Sequence, residues 1–128
     1  MTVVSFPLNC KMEASDILAL NPDILRCAVL DDAGRILSYA DSEKGKLANL
    51  PSSYPVTIKA LVIEGLSEAL PKEFGNIRFT TVVTDKYRLV TLSLAGRTVM
   101  FAIPLNIMPD ALCDTAIKKF GITSAPRR

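Results

Sequence analysis

Between Thr57 and Leu70 the chain is too apolar to stand as an ordinary surface helix. Set out at about 100° per residue, Ile58, Leu61, Val62, Gly65, Leu66 and Ala69 fall together. Ile63 and Leu70 widen that side to roughly 200° of arc, interrupted only by Lys59. A lone surface helix needs a stripe of roughly 100° or somewhat more. The polar remainder, Thr57, Ala60, Glu64, Ser67 and Glu68, is narrow. Such a helix has to be covered on more than one side. A sheet of its own chain can cover one; a partner helix or another part of the chain must cover the rest. Lys59 can lay its stem along the apolar surface and keep its charge in water. Glu64 and Glu68 share one face, the spacing a carboxylate pair would need, but they lie on the polar arc and read as a solvated surface.

The rest of the chain alternates helical and strand periods. Met12, Ala14, Ile17, Leu18 and Leu20 mark a short helix within 11–20, stopped at Asn21-Pro22-Asp23. Ile24 to Leu30 is an apolar run broken only by Arg26, and Arg35 to Ala40 resumes it. Between them Asp31-Asp32-Ala33-Gly34 reads as the solvated turn of a β-hairpin. Asp41 to Pro55 reads as the longest loop. Ile77 to Thr84 alternates as a half-buried strand, with Ile77, Phe79, Thr81 and Val83 on one face. Tyr87 to Leu94 and Thr98 to Ile103 follow across the short turns Asp85-Lys86 and Ala95-Gly96, giving an antiparallel meander. Phe79 and Phe101 read as core. Pro109, Asp110, Ala111, Leu112, Thr115, Ala116 and Phe120 mark a last helix, with Gly121 as its stop.

The order is therefore α-β-β-α-β-β-β-α. It predicts an α+β fold, a single five-stranded, mostly antiparallel sheet flanked by three helices. The 128 residues fit one domain, 1–128, with a core over about 11–121 and tails at 1–10 and 122–128.

Composition closes off several chemistries. There is no histidine, so Ser-His-Asp and Cys-His machinery is excluded. Cys10, Cys27 and Cys113 are odd in number, with no CxxC, so they read as reduced packing residues and not as a disulfide or zinc framework. No phosphate-cradling glycine motif occurs, and no cofactor is called for. The formal charge is +2, from 15 basic and 13 acidic residues, too balanced to argue for nucleic acid. Lys118 and Lys119 suit the last turn of a helix. No apolar run approaches the ~20 residues that span a bilayer, and the first ten residues do not form a secretory signal. The expectation is a cytoplasmic protein that is not an enzyme. Hydrophobic residues at 49% leave some apolar surface over, which fits either a slightly oily monomer or a buried partner interface.

Asp16-Ile17-Leu18 through Pro22 to Ala28-Val29-Leu30-Asp31-Asp32-Ala33-Gly34-Arg35-Ile36-Leu37 resembles the opening of the Roadblock/dynein light-chain superfamily. There a short helix ends near a proline, and a strand, Asp-x-x-Gly and a second strand follow. The apolar helix and the meander match in order and length, so the resemblance spans roughly residues 12–120. The Asp41–Pro55 loop is longer than that pattern, and Arg78, Lys86, Arg88 and Arg97 have no counterpart in it. The resemblance implies a non-enzymatic regulatory or scaffold module. It implies a homodimer through the second helix and the strand after it, with another protein, such as a small Ras-like GTPase, as partner. Here that interface would use Lys59, Val62, Ile63, Leu66, Leu70, Ile77 and Phe79. The alternative is a small-molecule sensor of PAS-like architecture, in which the meander and the long loop enclose a ligand and Arg78, Arg88 and Arg97 contact an anion.

Overall fold

The computed structural model describes residues 12–31, 33–48, 50, 72–75 and 77–121. The predicted 57–70 helix and both predicted tails lie outside the described residues.

Helix α1 (Ala14–Leu18) opens the described chain, and the Glu13 amide donates to Asp16 Oδ2 at 2.9 Å. The stop at Asn21-Pro22-Asp23 is an Asx turn: Asn21 Oδ1 accepts from the Asp23 amide at 2.7 Å. Strand β1 (Arg26–Leu30) is buried along its whole length, as a near-continuous apolar run requires. Strand β2 (Ile36–Asp41) returns antiparallel to it.

The turn between them corrects the reading of Asp31 as a solvated acid. Asp31 is buried. Its Oδ1 accepts from the Ala33 and Arg35 amides at 3.0 and 2.8 Å, and its Oδ2 accepts from Arg35 Nε at 2.8 Å. These bonds, the Arg35 amide foremost, hold its carboxyl below the usual carboxylate range. Gly34, at φ +85°, completes the turn.

The predicted loop at Asp41–Pro55 contains a further helical turn, α2 (Glu43–Leu47). Ser42 caps it, accepting from the Gly45 amide at 3.0 Å, while the Ser42 amide donates to the Leu25 carbonyl at 3.0 Å. Gly45 sits hard against that same residue. A Cβ there would lie 1.9 Å from the Leu25 oxygen. Gly45→Ala is expected to lower stability by about 1–3 kcal/mol, read as a lower urea midpoint. An unchanged midpoint would mean that α2 does not seat on Leu25.

A 3₁₀ turn at Lys72–Phe74 leads towards the meander of β3 (Thr80–Val83), β4 (Tyr87–Leu94) and β5 (Arg97–Pro104). Helix α3 (Pro109–Phe120) follows, with Pro109 in its first turn and Gly121 at its end, as the sequence predicts. At the β4–β5 turn Ala95 and Gly96 take φ of 51° and 78°. Two successive positive φ values make the tight hairpin turn that twisted strands prefer. Alanine is strained there by about 1–2 kcal/mol. Ala95→Asn is expected to raise the unfolding midpoint, and a lowered one would contradict this account of the turn.

All strand pairs are antiparallel, in the order β2-β1-β5-β4-β3. The hairpin thus docks through β1 on β5, the last strand of the meander. On one face Cys27, Val29, Val90, Leu92, Leu94, Val99, Phe101 and Ile103 form the core with Ala14 and Ile17 of α1 and Leu112, Cys113 and Ala116 of α3. On the other face Ala28, Met100, Ala102 and Thr91 are buried as well. Among the described residues no helix is long and apolar enough to cross a membrane.

Candidate functional site: the free edge at β3

Strand β3 is where the predicted pattern and the structure diverge most. The alternation over 77–84 predicts a half-buried strand. The observed strand is half that length and mostly exposed. It is the last strand of the sheet, so among the described residues one side of its backbone has no strand partner. Val82 and Val83 pair with Leu89 and Arg88, point to opposite faces, and are 45% and 55% exposed. Two neighbouring valines cannot both be half-exposed on opposite faces unless the strand is incompletely covered on both. Beyond Val83, Thr84 closes the turn, its Oγ1 accepting from the Lys86 and Tyr87 amides. Opposite Val83, Arg88 Nε donates to the Leu105 carbonyl at 3.0 Å, bringing the partly exposed Leu105 to the same corner.

Of the residues assigned to an interface from sequence, Lys59, Val62, Ile63, Leu66 and Leu70 lie outside the described residues. Ile77 and Phe79 fall just before β3. Ile77 is exposed, and Phe79 packs half-buried against the core. Phe74, within the 3₁₀ turn, is 76% exposed. Val82 and the β2 residues Ile36, Leu37 and Tyr39 were not singled out from sequence. The available signal was an apolar residue in both alternating sets of one strand, which a strand with one solvated face does not need.

Thr80 and Thr91 face each other across β3 and β4, and their hydroxyls are buried with no hydrogen-bond partner among the described residues. The three arginines of the anion reading are not brought together. Arg78 pairs with Asp114 of α3. Arg88 lies opposite Ile103 near the end of β5, and Arg97 begins that strand. Six residue steps along β5 separate their positions, about 20 Å at ~3.3 Å per step.

The remaining chemistry is quiet. Burial pushes the Cys113 thiol up to about 12, with Asp110 and Asp114 adding to the effect, and burial alone raises Cys27 further. Both are poor nucleophiles in that state. In a Cys10→Ser background, native protein is expected to leave Ellman's reagent unreacted, and unfolded protein to release the two buried thiols. Rapid native reaction would show that the core opens. Among the described residues no three of His, Cys, Asp and Glu converge as metal ligands would.

The five-stranded antiparallel sheet, with α1 and α3 on one face, gives the chain a fold similar to that of a solved Roadblock domain. The chain is similar to the Roadblock/LC7 domain from Streptomyces avermitilis: TM-score 0.60, 14% identity, over 82% of this chain and 86% of that one. It is also similar to the gliding protein MglB from Thermus thermophilus: TM-score 0.58, 12% identity, over 93% of this chain and 87% of that one. An MglB with a tetrameric arrangement matches at TM-score 0.58 and 11% identity, over 93% and 86% of the two chains. No family model matches the sequence, and no curated protein does.

Proposed function

We propose that this protein is a non-enzymatic regulatory or scaffold module of the cytoplasm that forms a homodimer and binds a second protein. The observation that carries the reading is β3, the edge strand among the described residues, whose Val82 and Val83 point to opposite faces and are 45% and 55% exposed. Soluble proteins protect such edges with charge, proline or a cover. A second copy of the same strand, laid antiparallel, would continue the sheet and bury Val82 and Val83 of both chains. The apolar arc at 57–70 supplies the second part of that interface, so the interface residues are Lys59, Val62, Ile63, Leu66, Leu70, Ile77 and Phe79 together with β3. The Roadblock fold supports a small Ras-like GTPase as the class of partner. Any anion contact by Arg78, Arg88 or Arg97 would be made one residue at a time. Sedimentation velocity over a concentration series tests the reading: a dimer that dissociates on dilution supports it, and a monomer at every concentration overturns it.

A further inference from the structure

The sheet has a second edge, at β2, and it is built differently. Among the described residues β2 pairs only with β1, so its outer side carries no strand. Ile36, Leu37 and Tyr39 are 47%, 50% and 38% exposed. The strand, Ile-Leu-Ser-Tyr-Ala-Asp, has no lysine or proline to discourage pairing, and a single bulge is its one device of that kind. A bulge at Leu37 shifts the register, setting Ile36 opposite Leu30 and Tyr39 opposite Ala28. Leu30, Ala28 and Arg26 alternate along β1, so Ile36, Tyr39 and Asp41 share the face away from α1.

Tyr39 is held in place. The buried Arg26 lies with Cζ 5.2 Å from the centre of the Tyr39 ring. Both carboxylate oxygens of Asp41 accept from one edge of that guanidinium, at 2.6 Å from Nε and 3.1 Å from Nη2. An exposed aromatic ring whose rotamer is already set loses little freedom on binding, which is what an interface anchor needs. On the opposite face α1 is tied to β2 by the Ala14 amide, which donates to Ser38 Oγ at 2.8 Å. The start of α1 carries Glu13 and Asp16, both exposed. The four basic residues of 12–48 are taken up in pairs: Arg26 with Asp41, Arg35 with Asp31, Lys44 with Asp23 and Lys46 with Glu43. Glu13 and Asp16 are left without a basic partner among the described residues.

We infer that the β2 edge takes an extended segment of a partner protein as an added strand, one in which apolar and basic residues alternate. A strand has a period of two. Its apolar positions would lie beside Ile36 and Tyr39, and its basic positions on the other face, near Glu13 and Asp16. Main-chain pairing would supply affinity and the alternation specificity. This goes beyond the homodimer reading, since it uses the opposite edge of the sheet.

An NMR titration of the full chain with a short acetylated peptide of alternating valine and lysine tests it. The amides of 36–41 are expected to shift and to exchange more slowly with solvent. Tyr39→Ala should weaken binding about tenfold, and Glu13→Gln should weaken it and flatten its salt dependence. The same titration on Val82→Glu should be unchanged, which separates failure here from failure of the dimer. The inference is overturned if the peptide shifts Thr80–Val83 and leaves 36–41 untouched, if nothing shifts, or if a valine–glutamate peptide binds equally well.

Discussion

Phe101→Ala is expected to lower the stability of the fold by about 3–5 kcal/mol, the largest single effect among the core positions. Phe101 is 2% exposed in β5, the central strand of the sheet. It lies directly opposite Cys27 of β1 and Val90 of β4, both fully buried, so its ring fills the middle of a layer that crosses three strands. Removing the ring leaves a cavity that neighbours on both sides are too constrained to close. Domains of this size have a total stability of roughly 5–15 kcal/mol, so the variant should sit near its folding threshold. Chemical denaturation measures the loss. Leu47→Ala, at a side chain 85% exposed, is the matched control and should leave the midpoint where it is. A Phe101→Ala loss under about 1 kcal/mol would mean that the layer repacks and that the core is not set by this ring.

The second large effect concerns association. In a dimer continued through β3, each Val82 meets the partner's edge across a short distance, and Val82→Glu places like charges against each other in a desolvated seam. Like-charge juxtaposition costs several kcal/mol, and each 1.4 kcal/mol is a factor of about ten in affinity. The dimer is therefore expected to weaken about a hundredfold or more. The monomer should stay folded, because Val82 is 45% exposed within one chain. Sedimentation across a concentration series, with the urea midpoint measured in parallel, separates the two. A Val82→Glu protein that dimerises as tightly as its parent would place the interface elsewhere.

How much of this was legible in the sequence depends on whether a signal was local. Strand β4 and helix α3 appear with the residues the periodicity predicts, since Val90, Leu92 and Leu94 carry a clean period of two and Pro109 and Gly121 mark both ends of the helix. The hairpin Ile24–Ala40 was legible for the same reason. The strand order was not. That β1 pairs with β5 is a contact across about seventy residues, and no local pattern encodes it. Exposure at β3 follows from that order: the same alternation that would be half-buried in an interior strand is solvated at an edge. Helix α2 was missed because five residues give no period to read. Its signals were Ser42 as a cap and Gly45 where the chain meets Leu25. Asp31 looked like a solvated turn acid because its partners, the Ala33 and Arg35 amides, are backbone groups that every sequence has. Arg78, Arg88 and Arg97 looked like a group because they are close in sequence, and the β-meander carries Arg88 and Arg97 to different ends of one strand pair.

The measurement that bears most directly on the central claim is native mass spectrometry of the unaltered full chain at micromolar concentration. A homodimer gives a species at twice the 13.9 kDa of the chain, with no added mass. A spectrum holding only the 13.9 kDa monomer, or a monomer carrying a discrete small molecule, would contradict the dimeric regulatory reading and turn attention to a bound ligand.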